Sequence, residues 1–326
     1  MQVRKASMGS SVLIGAAVVG LGLSWMWKKN QENQNEALFP TALDVNSYRR
    51  AKLVSSRQVG GGSKVLKFRY ENGPGIAPLK PFCHLSIRGK TMDVPPEYPF
   101  GLKVERPYTP ISASKTDFEI LVKHYPKDES EPQTQQTVLQ DNKAITKGIT
   151  SRFLLHLEPG AVIEVKGPTP TFNDDIMKDA LASRKFVGFV CGGSGITPAI
   201  QMLSRLGPSD TSRRFSVLWS NRNAEQMFFK KDLENMTKSM KNVNIRYTLT
   251  RIPPPGWQHD TGRVSKELLR VRLPPPSPEC LIIVCGPDSF VQAISGGKRG
   301  PDGKWIGEIG GFLKELDYNN DHVLRL

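Results

Sequence analysis

Lys185-Phe-Val-Gly-Phe-Val-Cys-Gly-Gly-Ser-Gly-Ile-Thr-Pro198 is the stretch on which the fold turns. An apolar run of strand length enters a glycine-rich turn, and a helix-compatible segment, 197–206, leaves it. Glycines there let the backbone approach a phosphate closely. The helix that follows adds unpaired N–H groups and the positive end of its dipole, and Pro198 suits a first helical turn. Pro198 also occupies the third glycine position of the full dinucleotide fingerprint, so taken alone the segment reads equally well as a tight structural turn.

The rhythm continues downstream. Strand-like runs at 185–191, 214–220, 243–250 and 281–285 alternate with helical patterns at 197–206, 224–238, 266–273 and 288–295. Such alternation predicts parallel strands with crossover helices, an open α/β sheet over 176–326. A second apolar strand ends in Ile283-Val-Cys-Gly-Pro-Asp288 and again enters a helix. Ligands of open α/β sheets bind at the carboxyl ends of strands, near the switch in strand order, and two such ends can hold a dinucleotide between them. The second strand ends in Trp219-Ser-Asn-Arg222, with no acid to take a ribose 2′-hydroxyl.

Upstream, residues 44–175 read differently. Short runs with alternating apolar positions (64–70, 83–88, 118–125, 161–166), punctuated by Pro and Gly, predict an antiparallel β-barrel or sandwich. Within it, Arg106-Pro-Tyr-Thr-Pro-Ile-Ser112 offers a planar guanidinium fork for phosphate, a flat ring face and a hydroxyl. Gly148-Ile-Thr-Ser-Arg-Phe-Leu154 sets a glycine and hydroxyls ahead of a helix-like run, a second candidate anion nest. Taken singly, each is an ordinary Pro-rich turn or N-cap. The polar stretch 126–147 reads as an excursion loop.

The chain has 326 residues, enough for about two domains. With 38% hydrophobic and 23% charged residues it is neither a coiled coil nor mainly disordered. A mean hydropathy of −0.36 excludes a polytopic membrane protein. Forty-five Lys and Arg against 31 Asp and Glu leave a net charge of +14, which favours acidic partners. No zinc-finger, aromatic–basic strand or basic heptad pattern is present, so nucleic acid is not expected as the partner. Cys83, Cys191, Cys280 and Cys285 form no C-x-x-C pair and have no His at ligand spacing, so they read as free thiols and no metal site is expected.

Residues 10–27 (SSVLIGAAVVGLGLSWMW) carry no charge, and 18 residues at 1.5 Å each span roughly 27 Å, just short of a bilayer core. Arg4 and Lys5 precede the run, Lys28 and Lys29 follow it, Trp25 and Trp27 sit at one edge, and the first acid is Glu32. Segment 1–31 is therefore read as a basic-flanked transmembrane anchor and targeting segment, and 32–43 as a polar linker. The Trp-Met-Trp-Lys-Lys flank argues against a signal-peptide cleavage site.

In order, RPYTPIS, GITSRFL, GGSGITP and VCGP resemble the NADH–cytochrome b5 reductases, within the wider ferredoxin–NADP reductase-like flavoproteins. The resemblance runs from about Asp44 to the C-terminus, and the anchored start and the 295–316 tail are most similar to the mitochondrial branch known from fungi. It implies an FAD-binding β-barrel domain (44–175) and a Rossmann-like NAD(P)H-binding domain (176–326). Arg106, Pro107, Tyr108 and Thr109 match the flavin motif. So do Leu121 and Lys123 on the following strand, Gly148, Ile149, Thr150 and Ser151 on the second phosphate segment, and Thr197 from the other domain. Gly192, Gly193, Ser194 and Gly195, with Cys285, Gly286, Pro287 and Asp288, match the nicotinamide-nucleotide side; Thr109 and Cys285 would lie beside the reacting rings.

The resemblance further implies hydride transfer from NADH to FAD. Single electrons then pass to an acidic haem protein such as cytochrome b5, from a monomer anchored in the mitochondrial outer membrane, with the endoplasmic reticulum as the alternative. Family members carry Asp after the third strand's Tyr-Thr-Leu; here Thr250 and Arg251 follow Tyr247-Thr-Leu249, with Arg222 nearby. NADPH and another acceptor therefore stand as one alternative, and a tethered flavin-binding protein with weak turnover as a second. The family's terminal aromatic pair is replaced by Val323-Leu324-Arg325-Leu326.

Overall fold

Phe68 and Phe118 stand directly opposite each other on adjacent antiparallel strands, their rings stacked at 5.4 Å, and both are fully buried. Around this pair the alternation seen in the sequence becomes a sheet. The strands are β1 (Arg49–Gly60), β2 (Ser63–Tyr70), β3 (Cys83–Lys90), β4 (Lys103–Tyr108), β5 (Pro110–Ala113), β6 (Asp117–Val122) and β7 (Val162–Pro170). They form one antiparallel seven-stranded sheet in the order β4-β3-β7-β1-β2-β6-β5. Its edge strands β4 and β5 are joined by Thr109 alone, so the sheet curls until its edges meet. Leu66, Leu85, Ile120, Val122 and Val165 fill the interior, and Leu154 closes it from helix α1 (Ile149–Leu155).

This computed structural model describes residues 43–71, 73, 79–90, 103–125, 139–140, 143–144, 149–172, 181, 183–206 and 210–326. The anchor, nearly all of the 32–43 linker, Gly148 and most of the 126–147 loop lie outside them. Among the described residues no helix is long and apolar enough to cross a membrane.

The second half is a six-stranded sheet, parallel throughout. Its strands are β8 (Phe186–Gly192), β9 (Arg214–Asn221), β10 (Val243–Leu249), β11 (Asp260–Thr261), β12 (Cys280–Cys285) and β13 (Val323–Arg325), in the order β11-β10-β9-β8-β12-β13. The helices are α2 (Thr197–Leu206), α3 (Lys230–Thr237), α4 (Lys266–Arg272), α5 (Asp288–Ser295) and α6 (Gly311–Lys314). β8 lies between β9 and β12, so the order reverses there and opens a crevice at the carboxyl ends of β8 and β12.

The Pro-rich 106–112 stretch falls in β4 and β5, and three further elements differ most from the pattern reading. The 224–238 helix splits into a 3-10 turn (Ala224–Gln226) and α3, because Met227, Phe228 and Phe229 are all buried and three successive side chains cannot share one helical stripe. The break sits at Phe229 (φ 67), whose N–H donates to Val59 O at 3.0 Å. The 118–125 strand stops at Val122, which leaves Lys123 and Tyr125 in the cleft described below. β1 has no counterpart in the pattern, because apart from Ala51 and Leu53 its side chains are exposed or half-buried.

The two sheets share packing. Val65, Phe82, Ile111 and Leu121 of the first join Phe189, Ile200, Leu203 and Phe228 of the second in one buried cluster. On α2, Gln201 Nε2 donates to Cys83 O (3.2 Å) and Pro110 O (3.0 Å), and Arg205 Nη1 donates to Leu79 O.

Candidate active site

A cleft of about 270 Å³ opens where the two sheets meet. Arg106, Pro107, Tyr108, Thr109, Leu121, Lys123, Tyr125, Thr150 and Ser151 line it from the β domain, Ser194 and Thr197 from the α/β domain. Motifs separated by about ninety residues therefore form one wall-to-wall site.

On the β side the curl that brings β4 to β5 turns Arg106–Thr109 into the cleft. Tyr108 donates to or accepts from Ser151 Oγ at 3.1 Å, which fixes its ring against the first turn of α1. Burial pushes its phenol up to about 12, so it presents a neutral ring. The Arg106 side chain is exposed and donates from Nη1 to Glu105 O at 2.8 Å. Thr150 is 2% exposed, yet its hydroxyl has no hydrogen-bond partner among the described residues. A buried orphan hydroxyl costs about 1–3 kcal/mol unless something external satisfies it. Facing this cleft beside an arginine and a planar ring, it suits a phosphorylated aromatic cofactor, and the residues present fit FAD.

On the other side, β8 runs into a 3-10 turn, Gly193–Ile196, before α2. Gly193 has φ +55, and a Cβ on it would stand 3.3 Å from Lys123 Nζ, which lies 5.2 Å from the Tyr125 ring centre. Trp219 Nε1 pins the turn by donating to Gly193 O (2.8 Å), and Thr197 Oγ1 donates to Ser194 O (3.2 Å). Gly195 lies directly against the end of β12: a Cβ on it would meet Cys285 O at 2.3 Å and Gly286 N at 2.8 Å. A Cβ on Gly286 would be 3.1 Å from Gly192 Cα. The GGSG and CGP turns thus touch backbone to backbone.

Cys285, Gly286, Pro287 and Asp288 sit at this second strand end, behind Gly192 and Gly195 rather than among the residues that line the cleft. Asp288 opens α5 and pairs with Arg299 at 2.9 Å. Cys285 is half-buried and in register with Cys191 on β8. Burial pushes its thiol up to about 12 and that of Cys191 well above the ordinary range, so at neutral pH both are thiols rather than nucleophilic thiolates. Ile149 begins α1.

One contributor, Tyr125, had no signal in the sequence pattern, whereas the C-terminal Leu326 falls where the resemblance placed a terminal pair. Tyr125 lines the cleft only because β6 stops short of it. β13 holds Leu326 at the carboxyl end of β12: its N–H donates to Val284 O at 2.9 Å, and Trp305 Nε1 donates to Leu326 O at 3.2 Å.

Comparison with known proteins agrees with this geometry. An oxidoreductase FAD-binding domain family matches residues 51–173, and an oxidoreductase NAD-binding domain family matches residues 189–296. Fold and site define a two-domain oxidoreductase that uses FAD and a nicotinamide nucleotide. The chain is 30% identical over 297 residues to the NADH-cytochrome b5 reductase-like protein of Arabidopsis thaliana, covering 87% of this chain and 78% of that one. It is 30% identical over 318 residues to NADH-cytochrome b5 reductase 2-A of Vanderwaltozyma polyspora, covering 96% and 95%. The chain belongs to the NADH–cytochrome b5 reductase family and is a flavoprotein enzyme. Its fold is similar to the cytochrome b5 reductase domain of Ulva prolifera nitrate reductase (TM-score 0.68, 21% identity, 88% of this chain and 100% of that one). It is also similar to the CS-b5R domains of human Ncb5or in the NAD+ form (TM-score 0.62, 17% identity, 86% and 69%).

Proposed function

We propose that this protein takes a hydride from NADH and hands electrons singly to cytochrome b5 or a similar small acidic haem protein. The observation that carries the reading is the common cleft: Arg106, Tyr108 and Thr150 face Ser194 and Thr197 across it. Bound FAD supplies the step from two-electron to one-electron chemistry. The chain's own residues bind and align. Arg106 and the Thr150 and Ser151 hydroxyls would hold the cofactor's phosphates, and Pro107, Tyr108 and Leu121 would pack beside its ring. Thr109, Lys123 and Thr197 would meet its edge. Gly192 to Gly195 let the backbone approach the nicotinamide nucleotide, and Cys285 to Asp288 close that side with a neutral thiol. The positive surplus steers an acidic partner toward the site.

One observation favours a second nucleotide. Arg222 and Arg251 stand exposed at the ends of β9 and β10, their backbones joined by an Arg251 N–H to Arg222 O bond of 2.9 Å, and neither side chain has an ion-pair partner among the described residues. Two uncompensated guanidinium groups at the carboxyl ends of adjacent strands, β9 being the neighbour of β8, suit a 2′-phosphate, so we extend the donor to NADPH. The uncharged, basic-flanked 10–27 run supports an anchor, which we place in the mitochondrial outer membrane. Stopped-flow flavin reduction by NADH and by NADPH, followed by mixing with cytochrome b5, tests the whole reading. A protein that takes up no FAD, or whose reduced flavin is not reoxidised by cytochrome b5, overturns it.

A further inference from the structure

The turn between β1 and β2 holds three successive glycines in the left-handed region: Gly60 (φ 101), Gly61 (φ 55) and Gly62 (φ 73). Turn conformation alone calls for one or two such residues. Close approach accounts for the rest. A Cβ on Gly61 would stand 2.4 Å from Glu225 O, and one on Gly62 would stand 2.8 Å from the His124 ring. The tip is therefore pressed, backbone to backbone, against the loop after β9 in the α/β domain. Val59 O accepts from Phe229 N at 3.0 Å, and Arg57 pairs with Asp232 at 2.9 Å along the same seam.

From the tip a chain of contacts leads to the active cleft. Ser63, 1% exposed, accepts from His124 N–H at 3.0 Å, and the preceding residue is Lys123, next to Gly193. A void of about 250 Å³, lined in part by Gly61, Ser63, Lys123, His124, Asn223 and Phe228, lies beside the tip. On this side the hairpin tip meets the α/β domain backbone to backbone, at the edge of the buried cluster that holds Val65, Leu121 and Phe228. On α2, Gln201 ties the domains at a second place through Cys83 O and Pro110 O.

We propose that the Gly60–Gly62 tip is a spacer that sets the separation of the flavin and nucleotide half-sites, with Gly61 as a positioning residue for hydride transfer. The proposal rests on the function given above. In Gly61→Ala the added methyl group must retreat about 1 Å to reach ordinary contact, a displacement on the scale to which hydride transfer is sensitive. Gly160→Ala is the control: its φ of +99 imposes the same kind of backbone strain, and nothing stands within 4 Å of the new Cβ.

The experiment is stopped-flow reduction of the FAD-loaded full chain by NADH and by NADH deuterated at the transferred position. Gly61→Ala is expected to retain FAD, to lose about tenfold or more in limiting reduction rate, and to show an enlarged isotope effect, while Gly160→Ala keeps the wild-type rate and isotope effect. Ser63→Ala, which removes the His124 contact without adding atoms, is expected to slow reduction by about two- to fivefold. A Gly61→Ala rate within about twofold of Gly160→Ala overturns the proposal, as does Ser63→Ala at the wild-type rate if Gly61→Ala does not fold. If the wild-type chain itself is not reduced by NADH, it is the function reading that fails.

Discussion

A methyl group on Gly195 probes the contact on which the nucleotide side depends. Its Cβ would stand 2.3 Å from Cys285 O and 2.5 Å from Cys285 C, and both atoms belong to the end of β12. No side chain can rotate out of the way, so one of the two turns must shift by about 1 Å to restore van der Waals contact. Overpacking of this kind costs about 1–3 kcal/mol, and a backbone neighbour places Gly195→Ala near the upper end. Gly192→Ala is the graded comparison, because its nearest atoms are the Phe290 ring at 3.0 Å, which can turn, and Pro287 Cδ at 3.1 Å. About 3 kcal/mol corresponds to roughly 5–10 °C in melting temperature, against a few degrees for Gly192→Ala. The same shift misaligns the nucleotide, so NADH-dependent ferricyanide reduction is expected to fall about a hundredfold in kcat/KM for Gly195→Ala. Thermal unfolding and steady-state kinetics on the FAD-loaded protein read both effects. If Gly195→Ala melts with the wild type and keeps its KM for NADH, the two turns do not form one nucleotide site and the reasoning is wrong.

Thr150→Val removes a buried hydroxyl that has no partner among the described residues, so the FAD-free protein should be no less stable, while FAD affinity drops about tenfold or more; equilibrium flavin titration checks this, and unchanged affinity excludes the hydroxyl as a cofactor contact. If Arg222 and Arg251 receive a 2′-phosphate, the wild type oxidises NADPH faster than NADH at low concentration, and Arg251→Asp raises the KM for NADPH by about tenfold; an NADPH rate no greater than the NADH rate rejects the site. Burial raises the thiols of Cys83 and Cys280 from an ordinary 9.0 to about 11 and about 12. Below pH 9 folded and unfolded chains hold these protons equally. Above it the unfolded chain releases them first, so stability falls with rising pH, by about 3 kcal/mol for the pair at pH 10. Chemical unfolding at pH 8 and 10 should show that loss and a smaller one in the Cys83→Ala, Cys280→Ala variant; equal losses in both refute the assignment.

Most of the α/β half was legible in the sequence because parallel strands buried on both faces leave continuous apolar runs. Val187, Phe189 and Val190 are all interior, and α2 and α5 begin and end where the pattern places them. The β half was legible where one face is buried, as in β2 and β6, and illegible in β1, whose place depends on hydrogen bonds to β2 and β7 rather than on its own side chains. The helical reading of 224–238 failed at Phe229 because the bond to Val59 across the domain junction outweighs local periodicity.

The site divides in the same way. Short motifs report local needs: a glycine where backbone must approach backbone, an arginine and hydroxyls where an anion is to be held. Taken singly, RPYTPIS and GGSGITP read as well as ordinary turns; it was their order along the chain, through the resemblance, that pointed to a shared site. That they face each other, that Tyr125 joins them, that Leu326 lies beside Cys285 and that a glycine hairpin spaces the two halves were decided only in the tertiary structure. Those facts come from strand order and from contacts between residues far apart along the chain, and no local pattern of side chains encodes a distance across a domain junction.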